Sequence, residues 1–184
     1  MDERNPNKLV EGIYQLRYYL PEGGSLLLWL GLLTMTSGKT RGVVTLMQRE
    51  ICIGWFLALN NQTALAIEAY QRAQQISLNS GYVTMSNHTA PEPQPSPQMR
   101  QLEMDVAIGM MFVAADSDPS PNHLQNGLEI WKRSLRNGFQ EQEKRIILAL
   151  AALQFTAGRV EQSYANAEDA YHFFDNRAMN AEAG

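Results

Sequence analysis

"ICIGWFLALNNQTALAIEAYQRAQQI", Ile51–Ile76, is the stretch whose reading decides the fold. Its apolar residues recur at intervals of three and four, the period of a helix face, and not at the alternate positions of a strand. Asn60-Asn61 interrupts the run, and a second helical period follows. The stretch therefore predicts two helices joined by a tight turn. Gly54 stands inside the first helix, where glycine costs about 1 kcal/mol relative to alanine. The expected gain there, as at Gly31 and Gly109 inside other helices, is close approach of a neighbouring helix, which a larger side chain would block. In the second helix Ala66, Tyr70 and Ala73 present small and large residues on one side.

The same period extends in both directions. Expected helices cover roughly Asn7–Leu20, ended by Pro21 and Gly23-Gly24, and Ser25–Thr36, with Ser25 as N-cap. Thr40–Asn60 and Gln62–Asn79 come next, then Met99–Ala115, His123–Arg136, Glu141–Ala157 and Arg159–Phe174. Almost nothing alternates with period two. The expected class is all-α, with about eight helices in four antiparallel hairpins.

Between the fourth and fifth helices lies "TMSNHTAPEPQPSPQ", Thr84–Gln98, with Pro91, Pro93, Pro95 and Pro97 at alternate positions. Such spacing favours an extended, solvated chain. It reads as a loop or spacer and as the best protease target; a docking motif for a proline-binding partner is the other reading. "DSDPSPN", Asp116–Asn122, is a second break. The expected organisation is an N-terminal helical cap (1–39), a hairpin (40–82), a Pro-rich loop (83–98), two further hairpins (99–176) and a frayed tail (177–184).

A small residue followed seven positions later by a turn residue recurs four times: Gly31 and Gly38, Gly54 and Asn61, Gly109 and Asp116, Ala151 and Gly158. With the helix that follows the turn, the Gly54, Gly109 and Ala151 segments resemble tetratricopeptide (TPR)-type helix hairpins, while the Gly31 segment departs, since its second helix would also have to open the next hairpin, and so reads as a cap. "ALAALQFTAGRVEQSYANAEDAYHF" is similar in this way, with Ala151, Gly158, Ser163, Ala167 and Ala170 at the motif positions. A middle unit matches if "DSDPSPN" is an inserted turn, with Gly127, Trp131 and Ser134 on its second helix. The resemblance covers about two thirds of the chain. It implies hairpins stacked as a right-handed array; a compact helical bundle, where small-residue spacing also occurs, is the alternative.

The resemblance further implies a concave groove, lined by the first helix of each hairpin, that holds a segment of another protein. Carried over by position, the lining is Gln48, Ile51, Trp55 and Ala58; then Glu103, Val106, Met110 and Val113; then Arg145, Leu148, Ala152 and Phe155. Trp55, Met110 and Phe155 would be the anchors, each worth roughly 1.5–3 kcal/mol when buried. The other reading of these residues is packing within the chain. A non-catalytic adaptor or chaperone is implied, similar in size and acidity to the small TPR chaperones of bacterial type III secretion. The alternative is a structural or assembly subunit of an oligomer, with a homodimer as its simplest form.

Other motifs point to no chemistry. "GLLTMTSGKT", Gly31–Thr40, ends like a phosphate-binding loop, but Leu33 occupies the place of that loop's first glycine and the preceding residues are helical. Gly38 is expected to end one helix and Thr40 to begin the next. Asp105, Asp116 and Asp118 could be imagined as an acid–base or metal cluster, although aspartate in a Ser/Pro-rich turn serves local hydrogen bonds. His88, His123 and His172 are scattered, and the lone Cys52 lies in an apolar run, where it reads as a small core residue. No catalytic residue, metal site or cofactor is expected.

A formal charge of −4 argues against a nucleic-acid binder dependent on a broad basic surface. Lys132, Arg133, Arg136, Lys144 and Arg145 form the densest basic group; it reads as a solvated surface, or as a contact for an acidic peptide. The greasiest run, Ser25–Met35, is about half of the ~20 residues a bilayer span needs, so no membrane insertion is expected. One cysteine and a polar, acidic start fit a reducing, cytoplasmic setting without a signal peptide. "NQT" at Asn61 and "NHT" at Asn87 then match the glycosylation pattern by chance.

Overall fold

In a computed structural model the described residues are 5–18, 24–80, 96–117, 122, 125–130, 132 and 140–182, with side chains described as far as 176. They are helical, with no strand among them: α1 Pro6–Leu16, α2 Gly24–Met35, α3 Val43–Leu59, α4 Thr63–Asn79, α5 Pro97–Ser117, α6 Gln140–Thr156 and α7 Val160–Glu182. Residues 125–130 are also helical. The chain divides into two compact units, Met1–Gly109 and Met110–Gly184. Most of the Pro-rich segment and of "DSDPSPN" lies outside the described residues.

In the first unit α3 packs along α4, and α1 and α2 each lie against α3. Asn5 caps α1, its Oδ1 accepting from the backbone N–H of Asn7 (3.1 Å) and Lys8 (3.4 Å), with Pro6 at the first helical position, where its missing N–H is no loss. Asn7 then copies a backbone pair: its Nδ2 donates to the Arg41 carbonyl (3.1 Å), and the Arg41 N–H donates to its Oδ1 (3.0 Å). This fixes the start of α1 to the α2–α3 connection. Arg49 Nε donates to the Leu33 carbonyl (3.0 Å), so a side chain of α3 satisfies one of the carbonyls in the last turn of α2.

The α3–α4 and α6–α7 hairpins turn in the same way. After α3 the N–H of Gln62 donates to the Leu57 carbonyl (2.9 Å) and that of Asn61 to Ala58 (3.0 Å). After α6 Arg159 donates to Gln154 (2.8 Å) and Gly158 to Phe155 (3.0 Å). Both are Schellman motifs, which need a left-handed residue just past the helix; Asn61 has φ 57° and Gly158 φ 75°. Ala66 and Ala73 of α4 are buried, as are Ser163 and Ala170 of α7. The Ser163 hydroxyl donates across its hairpin to the Ala151 carbonyl (2.8 Å).

Gly54 and Gly109 both meet Tyr70. A β-carbon at Gly54 would stand 2.9 Å from the Tyr70 ring, and one at Gly109 only 2.2 Å from its Cζ. Tyr70 is fully buried, so these two glycines are the space its ring occupies. Gly31 corrects the expectation: a β-carbon there would meet nothing within 4 Å, because that side of α2 faces solvent.

Several element ends also differ. Ser25 is inside α2, not its cap, and Asp116 lies within α5, so it makes no turn after Gly109. Pro97 opens α5, and α7 continues to Glu182 through the expected frayed tail. Thr40 does not begin α3: its hydroxyl donates back to the Thr36 carbonyl (3.0 Å), and Gly42, at φ 86°, precedes Val43. Gly38 follows α2 at φ 72°, in the left-handed region that ends a helix. Among the described residues no helix is long and apolar enough to cross a membrane.

Candidate functional site

The residues expected to line a groove separate by exposure. On α3, Gln48 and Ile51 are buried, while Trp55 and Ala58 are half-buried; the Trp55 ring meets Tyr18 edge-on at 5.1 Å. On α5, Val106 and Val113 are buried, Met110 is half-buried and Glu103 is exposed, its Oε1 accepting from the Ser77 hydroxyl (2.7 Å). On α6, Leu148 is 39% and Phe155 64% exposed, with Ala152 and Arg145 half-buried. Positions 145, 148, 152 and 155 recur at three and four, so they share one side of α6. Within the second unit this is an open apolar surface with a cation at one end.

That cation is already engaged. Arg145 Nη2 donates to Glu141 Oε1 (2.9 Å), and the guanidinium lies 5.0 Å from the Phe174 ring centroid. Lys144 pairs with Asp169 (2.7 Å) and Lys132 with Glu129 (2.9 Å). The described part of the basic group is thus neutralised by local carboxylates. Arg133 and Arg136 lie outside the described residues.

A second apolar face stands on α2. Leu27, Leu28, Gly31, Thr34 and Met35 are all exposed, Met35 at 71%, and they follow one side of the helix. Leu26 and Leu33 fill the opposite side and are buried. The helix carries no charge, so it gives up apolar surface to solvent that most helices of its kind cover.

Inside the first unit is a polar cluster that the sequence did not announce. Tyr14 donates its hydroxyl to Asp105 Oδ2, and Arg17 Nη2 donates to the same oxygen at 2.7 Å. Arg17 also donates to the Tyr14 carbonyl and, at 2.9 Å, to the Tyr18 hydroxyl, with its guanidinium over both phenol rings, 3.8 and 4.1 Å from their centroids. The Asp105 side chain is wholly buried and that of Arg17 nearly so. Burial opposes the Arg17 charge, but Asp105 and the two phenols raise its pKa overall. Burial, with the Asp105 charge, pushes the Tyr14 phenol well above its ordinary value. Such a cluster holds its protons firmly, with its carboxylate and guanidinium almost closed to solvent and Tyr18 half-buried at its edge. It ties α1 to α5.

Cys52, also fully buried, is pushed up to about 12 by burial, against the influence of Arg17, and so is no ready nucleophile. Asp105 belongs to the ion pair with Arg17, Asp116 is exposed, and Asp118 lies outside the described residues. His172 is exposed with its ring edge-on to Tyr171 at 5.8 Å; His88 and His123 lie outside the described residues. Among the described residues no group of three His, Cys, Asp or Glu could hold a metal ion.

The chain matches no family model, no curated protein and no solved structure.

Proposed function

We propose that this chain is a non-catalytic protein-binding adaptor or chaperone that holds an apolar segment of a partner protein. The observation that carries the reading is the outward placement of Phe155 and Leu148 on one side of α6. Of the residues expected to line a groove, these are the large apolar ones most open to solvent. Covering the part of each side chain that is still open contributes about 1–2 kcal/mol for Phe155 and less for Leu148, so the two can anchor a segment only together with further contacts. Arg145, paired with Glu141 and set against Phe174, fixes a polar edge to that surface.

The test is co-purification from the native host followed by mass spectrometry, repeated with Phe155→Ser and Leu148→Ser. A partner retained by the parent chain and lost by the double variant, at unchanged melting temperature, supports the reading. Equal retention by both sinks it.

A structural or assembly subunit is the second reading, favoured by the α2 face. Gly31 has open space on all sides of its β position, and Leu27, Leu28 and Met35 surround it. Sedimentation velocity over a range of concentrations separates the two readings. Self-association that Leu28→Glu abolishes speaks for the assembly subunit.

A further inference from the structure

We propose that the outer side of α7 is a docking surface for a basic amphipathic helix of a partner protein, distinct from the apolar side of α6. Glu161, Tyr164, Glu168, Tyr171 and Asp175 are all exposed, and their spacing alternates three and four. That is the seam spacing by which one helix follows another over several turns. From Glu161 to Asp175 the stripe covers fifteen residues, about 21 Å at the helical rise.

Its chemistry is specific in sign. Glu161, Glu168 and Asp175 make no ion pair among the described residues, whereas their neighbour Asp169 is taken by Lys144. Tyr164 and Tyr171 stand 69% and 63% exposed between the free carboxylates. Ser163 and Ala170, which face inward, are small, so α7 carries these two large rings on its outer side. Carboxylate beside phenol suits an arginine, whose planar head can pair with the one and stack on the other. Leucine or methionine on the partner helix would cover the rings. The whole of α7 holds five carboxylates against one arginine, so the field over the stripe attracts cations. Of the nearby basic groups, Arg159 precedes the helix, and His172, four residues after Glu168 and three before Asp175, borders the stripe with its ring edge-on to Tyr171.

The experiment uses the full chain and two labelled synthetic helices of about three heptads. Both have leucine at the seam; one has arginine at the flanking positions and its twin has glutamate. Fluorescence anisotropy should show the arginine helix bound at least ~10-fold more tightly than the glutamate helix, with affinity falling as salt rises. Replacing Glu161, Glu168 and Asp175 by lysine should invert that preference. Tyr164→Ala with Tyr171→Ala should weaken binding about 10-fold or more at unchanged melting temperature. A charge-matched control, Glu11→Lys with Glu68→Lys and Asp116→Lys, should leave binding in place. Equal affinity for the twins, no binding of either, or equal loss in the control overturns the proposal. So does a self-association that the lysine triple variant abolishes, which would make a second copy the occupant. None of these variants touches Leu148 or Phe155, so failure here leaves the α6 reading standing on its own test.

Discussion

The ring of Tyr70 lies so close to the backbone of Gly109 that a β-carbon there would stand 2.2 Å from Cζ. Gly54 leaves more room, at 2.9 Å, and Gly31 has nothing within 4 Å. One substitution at three helical glycines should therefore give three outcomes. Gly109→Ala overpacks a ring that is fully buried and pressed from a second side, and should destabilise the chain by about 1–3 kcal/mol. Gly54→Ala should cost less, since the gain in helix propensity offsets part of a smaller clash. Gly31→Ala keeps only the propensity gain and should stabilise by about 1 kcal/mol. Urea denaturation of the three variants checks the order. A Gly109→Ala chain as stable as its parent would show that Tyr70 is not held as described.

The two matching turns invite opposite changes. Gly158 sits at φ 75°, where a β-carbon meets the following carbonyl, so Gly158→Ala should cost about 1–2 kcal/mol. Asn61, at φ 57°, already carries part of that penalty, and Asn61→Gly should be neutral or mildly stabilising. Melting temperatures of the two variants, expected to move apart, test whether the hairpins share one stop signal.

The parts of the fold that were legible in the sequence are those encoded by neighbours. The period of three and four placed the helices, and Asn61 and Gly158 marked their turns because left-handed residues are few in kind. Gly54 and Gly109 advertised a close approach, though the same argument failed at Gly31. α2 is apolar on every side, so its period could not say which side met α3. The lining carried over by motif position had the same weakness. Position picks out a side of a helix, but Gln48, Ile51, Val106 and Val113 are buried, and only packing decides that. The Tyr14–Arg17–Asp105 cluster was beyond reach, since its members lie 88 and 91 residues apart in the chain. No local pattern pairs an arginine with one aspartate among many.

That cluster should behave as a buried ion pair. Asp105→Leu leaves the Arg17 charge without its carboxylate in a site closed to water, and should cost about 3–5 kcal/mol. Arg17→Met made together with Asp105→Leu should cost less than Asp105→Leu alone, because no charge is then stranded. Tyr14→Phe removes a hydrogen bond to a charged acceptor and should cost roughly 1.5–3 kcal/mol. A double-mutant cycle by urea denaturation measures the coupling. Strictly additive costs for Arg17 and Asp105 would mean that the pair contributes nothing beyond its separate packing.

Burial of Cys52 gives the molecule a predictable response to alkali. In the unfolded chain the thiol ionises near its ordinary value of 9.0, while in the native state it keeps its proton to about 12. Between those values the native state binds more protons, so stability falls as pH rises; below pH 9.0 both states are protonated and the contribution is present in full. Tyr14 and Tyr70, raised chiefly by burial from 10.0, add losses of the same sign at higher pH. The thiol alone should produce a slope approaching about 1.4 kcal/mol per pH unit above the unfolded value. Cys52→Ala should start from a lower stability near neutral pH, owing to the lost packing, and then decline less steeply between about pH 9 and pH 10. Urea midpoints of both chains across that range decide the matter. Parallel curves would mean that the Cys52 thiol ionises equally well in both states, and that the apolar surroundings of α3 do not exclude a thiolate.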